Sequence, residues 1–197
     1  MFVAAGIGSA AVTTAALAAG LLYSFASESR LPGADLRYMP HLLELVDTGR
    51  LAEASDELYM ASLLDPRNVV ALDMLARVAG ELGQHRRQLR ALKLLLLDTD
   101  SPQLRLRYAR AVVDRVRTAD TEQPPPRQLQ RAISSAELAL QSDPRSAVAH
   151  ATIGEAWLLL CEAREAQRHL EEALRLDPTL ESARRDLERA RATERRS

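Results

Sequence analysis

The sequence predicts an all-α protein: a single N-terminal transmembrane helix, an α-solenoid of about four helix-turn-helix repeats, and a C-terminal capping helix. Three observations predict it. Residues Phe2 to Ala26 carry no charged side chain. Helix-closing Asp-Pro pairs recur at a fixed interval, with 34 residues from Asp143-Pro144 to Asp177-Pro178. Asp65-Pro66 belongs to the same ladder, and Asp98-Thr99-Asp100 sits one 34-residue period beyond it. Between these markers, apolar residues recur at helical spacing. A fixed period of this length is how a stack of helix pairs is written in sequence.

The first element is the apolar segment. Its 25 residues would reach about 37 Å as a helix, enough to cross a hydrocarbon core of about 30 Å. Tyr23 and Phe25 lie near one end, where aromatic rings favour the membrane interface. Gly6, Ala10, Thr14 and Ala18 fall on one helical face, and small residues there let another membrane helix approach closely. The competing reading is a cleaved secretory signal, with Ser24-Phe25-Ala26 as a small-x-small site. No Lys or Arg precedes the apolar run, so an uncleaved anchor over 1–26 is the preferred reading. Arg30 and Arg37 follow the segment, which leans the repeats toward the cytoplasmic side. Residues 27–34 read as a linker, broken by Pro32-Gly33.

The repeats then occupy 35–197, in copies of about 35–68, 69–102, 103–146 and 147–180. The clearest is the last: His150-x2-Ile153-Gly154-x2-Trp157, then Ala166-x3-Leu170, Ala173 and Pro178. This resembles the tetratricopeptide repeat, with His150 in place of the first aromatic and Leu170 in place of Phe. Gly154 and Ala166 are expected where the two helices of the copy cross, since larger side chains would push them apart. The first copy matches through Tyr38, Leu45, Gly49, Ala54, Leu58 and Ala61, with its first helix starting near Pro40. The second matches through Leu72, Leu75, Ala76, Ala79, Gly83, Leu92 and Leu95, with Asp100 replacing the terminal proline. In the third, Leu106, Ala109, Val113 and Val116 keep a buried stripe, and Arg110 falls where the template wants a small residue. An insertion over 118–127 carries Pro124-Pro125-Pro126, which no helix interior tolerates. It reads as a loop spacer rather than a polyproline ligand. Ala132, Ala136 and Ala139 mark the second helix. After Pro178, Thr179 is expected to cap a last helix over 179–195, whose stripe is Leu180, Ala183, Leu187 and Ala190.

Composition excludes several classes. Net charge is −1, so nothing drives the whole chain toward nucleic acid, and interleaved aromatics are missing. The single Cys161 forbids an internal disulfide or a multi-cysteine metal site. It falls at the turn between the helices of the fourth copy. His41, His85, His150 and His169 form no metal-ligand spacing, and His41 and His150 are expected at helix-packing positions. No phosphate loop, nucleophile elbow or His-Glu-x-x-His run occurs. No catalytic residue, cofactor, metal or small-molecule substrate is expected, and the chain is not read as an enzyme.

The remaining functional surface is a groove. The resemblance implies that the first helix of each copy lines the concave face. By register the lining is Leu43, Val46 and Asp47 from the first copy, and Asp73, Arg77 and Glu81 from the second. The third supplies Arg107, Ala111, Asp114 and Arg115; the fourth supplies Thr152, Glu155 and Leu159. Apolar ends with charges between them suit an extended or helical peptide. Chaperone-binding members of the family use a two-carboxylate clamp of Lys, Asn and Arg, which the matching positions here do not reproduce. Arg86, Arg87, Arg90 and Lys93 form a separate basic cluster, and of the later arginines Arg107, Arg110 and Arg117 share one side.

The resemblance therefore implies a membrane-anchored scaffold that holds a protein partner, as an assembly factor or accessory subunit of a membrane complex. Relatives with this layout serve cytochrome maturation, pilus assembly and envelope biogenesis. One that regulates envelope lipid synthesis carries a four-cysteine metal module absent here. Two alternatives stay open: an integral structural subunit whose apolar helix packs against other spans, and a secreted soluble adaptor released by signal cleavage.

Overall fold

The computed structural model describes residues 39–119 and 125–195. The expected membrane helix, its small-residue face, the 27–34 linker, Tyr38 and residues 120–124 of the insertion lie outside the described residues. Among the described residues there are nine α-helices and no strand. None of these helices is long and apolar enough to cross a membrane.

The chain divides into two compact units, 1–91 and 92–197. The first contains α1 (Met39–Asp47), α2 (Leu51–Leu64), α3 (Val69–Glu81) and the start of α4 (His85–Asp98). The second contains the end of α4, then α5 (Pro102–Thr118), α6 (Pro126–Ser142), α7 (Ala147–Leu159), α8 (Ala163–Leu176) and α9 (Glu181–Glu194).

One turn recurs between the two helices of a pair. After α1, the Gly49 N–H donates to the Val46 carbonyl and the Arg50 N–H to the Leu45 carbonyl. After α3, Gly83 donates to Gly80 and Gln84 to Ala79. After α7, Cys161 donates to Leu158 and Glu162 to Trp157. This paired closure requires a left-handed residue. Gly49 has φ +74°, Gly83 φ +66° and Cys161 φ +63°. Two copies meet the requirement with glycine; the fourth makes a side chain adopt it, at a cost of about 1 kcal/mol.

A second motif joins one pair to the next. Asp65, Asp143 and Asp177 each turn a side-chain oxygen back to accept the backbone N–H two residues on, at 3.1, 3.2 and 2.9 Å. Asn68 and Ser146 then cap α3 and α7 by accepting from Ala71 and Ala149. At the last joint the hydroxyl of Thr179 donates to Asp177 instead, and Leu180 occupies the cap position of α9 without a side-chain bond. The expected Thr179 cap is therefore corrected: the aspartate ahead of the proline captures the hydroxyl first.

Before α5 the joint is one residue shorter. Thr99 closes α4 and Ser101 caps α5 through the Leu104 N–H. Counting from each cap places Ala76, Ala109 and Gly154 at the same helical position, and all three are buried. Arg110 is thus not the residue at the crossing. Ala109 is, and the Arg110 side chain is 65 % exposed.

Within the second unit, consecutive helices pack in order, α5 on α6, α6 on α7, α7 on α8 and α8 on α9. Ala166, Leu170 and Ala173 of α8 interlock with Ala183, Leu187 and Ala190 of α9, with Trp157 and Leu180 beside them. Burying these side chains against one another supplies the stabilisation that an isolated short helix lacks.

Candidate functional site

In the first unit, Leu43 is half-buried, while Asp47 and Glu81 are exposed. Val46 is only 1 % exposed and belongs to the core. Asp73 is 7 % exposed, and its carboxylate accepts from Arg77 Nε at 2.8 Å. Asp73 is therefore a buried, paired charge rather than a free groove charge, while Arg77 stays partly exposed. His41 is exposed and meets Glu57 at 3.2 Å, so it is not a packing residue as expected. Of the basic cluster, Arg87 reaches Asp56 at 2.6 Å and lies 4.8 Å from the centre of the Tyr59 ring, with Arg90 at 5.9 Å. A guanidinium over an aromatic face is held by the ring quadrupole.

In the second unit the lining is sharper. Ala111 is 1 % exposed and Thr152 is 4 % exposed, with the Thr152 hydroxyl donating to the Val148 carbonyl. Both are core positions. For Ala111 the reason is the one that moved Arg110 outward: the cap of α5 sits one residue earlier than the 34-residue period implies. Arg107, Asp114, Arg115, Glu155 and Leu159 remain partly exposed.

These residues join others into a charge ladder across the first helices α5 and α7 and the capping helix α9. Asp114 of α5 is held by Arg117 and lies 4.0 Å from Arg110. Arg117 Nη1 also donates to Glu155 Oε1 of α7 at 3.0 Å. On α9, Arg189 reaches the buried Asp186 at 3.1 Å. Burial pushes the Glu155 carboxyl above the usual carboxylate range; Arg117 opposes that shift, and Asp186 and Asp114 add to it. Three carboxylates thus share one electrostatic neighbourhood, with Arg117 as the link between α5 and α7. The sequence carried a signal for this in the spacing of Asp114 to Arg117 and Asp186 to Arg189, each three apart on a helix.

Two histidines also meet. His150 of α7 and His169 of α8 have their Nδ1 atoms 3.2 Å apart, with ring centres at 5.4 Å. Burial lowers His169 below the usual histidine value, and the neighbouring His150 and Arg168 lower it further. The sequence spacing of 19 residues gave no hint of this contact.

No protein-family model matches the chain, and no curated protein matches it in sequence. Solved structures do. A structure of MamA protein aligns with a TM-score of 0.63 at 20 % identity, covering 80 % of each chain. A thermophilic tetratricopeptide-repeat protein of Thermus thermophilus aligns at 0.56 and 26 % identity, over 83 % of this chain and 89 % of that one. The first such domain of Spaghetti (RPAP3), bound to the HSP90 peptide SRMEEVD, aligns at 0.53 and 20 % identity, over 66 % of this chain and 96 % of that one. The chain has a tetratricopeptide-like fold.

Proposed function

We propose that this chain is a membrane-anchored scaffold that holds a segment of a protein partner along α5, α7 and α9 of its second unit. The observation that carries this is the Arg117–Glu155 bridge between α5 and α7. It sets a half-buried carboxylate in a row with Asp114 and Asp186, while the Arg110 and Arg189 side chains stay 65 % and 62 % exposed. Such a row offers both signs of charge, with Leu159 beside it for an apolar side chain. That chemistry fits a peptide of mixed charge with an apolar anchor. The peptide-bound relative lends support to peptide capture by this fold. It does not carry its ligand over, because the clamp for a chaperone tail is missing here.

The anchor in this proposal is the uncharged run from Phe2 to Ala26. Tethering would raise the local concentration of the array near a membrane complex, where it would act as assembly factor or accessory subunit. Affinity purification from native membranes in mild detergent, with full-length protein beside a form lacking residues 1–26, tests the reading. Capture of the same stoichiometric partner by both forms, lost in Glu155→Lys, supports groove recognition with a simple tether. Capture that ignores Glu155 and requires the apolar segment points to an integral subunit of the complex instead.

A further inference from the structure

We infer that the outward face of α6 in the second unit, beside Tyr108 of α5, is a second binding site, specific for an acidic peptide segment of a protein partner. Here Tyr108, Arg127, Gln130, Arg131, Ser134 and Ser135 line one open depression. Leu138, 40 % exposed, gives it an apolar edge. This site lies apart from the charge ladder of α5, α7 and α9.

Its chemistry is one-sided. Every polar side chain lining it can donate a hydrogen bond, and none is a carboxylate. Two guanidinium groups stand one helical turn apart, a spacing at which both can grip one acidic segment through paired N–H bonds.

The pattern of the rest of the unit makes these arginines unusual. Arg110, Arg117, Arg175, Arg184 and Arg189 each have a carboxylate three or four residues away on their own helix. Three and four residues beyond Arg131 the chain places Ser134 and Ser135. Four residues beyond Arg127 it places Arg131 itself. No ion pair to Arg127 or Arg131 forms among the described residues, and Glu137, the single acidic residue of α6, is not part of the lining. Two adjacent like charges on a helix disfavour the free state slightly, and an acidic ligand relieves that repulsion. The depression is open, which suits an exposed peptide segment rather than an enclosed small molecule.

Fluorescence anisotropy of a labelled polyglutamate peptide of about ten residues, long enough to cross the α6 face, tests this with the full chain in mild detergent. Arg127→Glu/Arg131→Glu is expected to weaken binding at least about tenfold, because charge-assisted paired bonds are lost. Arg145→Glu/Arg185→Glu makes the same change in net charge away from the depression and is expected to stay within about twofold. Arg127→Lys/Arg131→Lys keeps the charge without the fork and is expected to fall between them. All four residues are exposed, so helix content by circular dichroism should not change. Equal loss in both Glu variants would mean diffuse attraction and overturn the site. So would no binding to polyglutamate at low salt, or displacement by inorganic phosphate at matched anion concentration, which would mark a small-anion site.

Discussion

Gly154 of α7 and Leu170 of α8 compete for one volume: a Cβ on Gly154 would lie 2.6 Å from Leu170 Cγ and 3.2 Å from the Ala166 carbonyl oxygen. The two helices approach this closely because the glycine leaves room for a fully buried leucine.

Gly154→Ala tests the contact. Alanine gains about 1 kcal/mol of helix propensity. The overlap with a buried leucine and a backbone oxygen costs about 1–3 kcal/mol, so a net loss is expected, read as a lower thermal midpoint. Gly80→Ala is the contrast. Its Cβ would meet Gln88 Nε2, the free end of a flexible side chain, so the variant should hold its midpoint or raise it.

Cys161→Gly should stabilise the fold. The residue sits at φ +63° in the turn where the first two copies carry Gly49 and Gly83. Relief of the left-handed strain is expected to contribute about 1 kcal/mol, reduced by the greater freedom of glycine in the unfolded chain. Gly83→Ala should lose a similar amount. Urea midpoints of the two variants would move in opposite directions.

The repeat glycines and the Asp-Pro joints were legible because each depends on residue types at fixed local spacing, as Gly49, Gly83 and the Asp-Pro pairs show. The caps were not: Asn68 and Ser146 cap their helices through the backbone three residues on, while at the last joint Asp177 takes the Thr179 hydroxyl and Leu180 holds the cap position. The register of α5 was not, because one missing residue between Thr99 and Ser101 shifts the helix while leaving the apolar stripe almost intact. That slip misplaced Ala111 and Arg110. The contact of His150 with His169 and the bridge of Arg117 to Glu155 depend on which helices pack together, which local spacing does not encode.

The histidine pair makes stability depend on pH in a stated direction. His169 is lowered in the folded protein, so the unfolded chain binds its proton more readily. Stability from this group is present above the unfolded histidine value and is lost as pH falls below about 6.5 through the lower folded value. Chemical denaturation at about pH 7.5 and about pH 5 should show the loss. His169→Gln should reduce the difference, with carboxylate contributions left as the remainder.

The bridge of Arg117 to Glu155 should show coupling in a double-mutant cycle. Arg117→Ala leaves a half-buried carboxylate without its nearest cation, and a loss of about 1 kcal/mol is expected. The same change in a Glu155→Gln background should cost less, giving a coupling of at least about 0.5 kcal/mol. Additive single effects would mean that the bridge contributes nothing to the packing of α5 on α7.

The most direct test of groove recognition is site-specific photo-crosslinking in native membranes. A photoreactive residue would replace Arg110 or Leu159 on the groove side, or Arg164 on the exposed face of α8. One discrete protein adduct is expected from the first two positions and none from the third. Equal adducts at all three positions, or adducts from Arg164 alone, would contradict it.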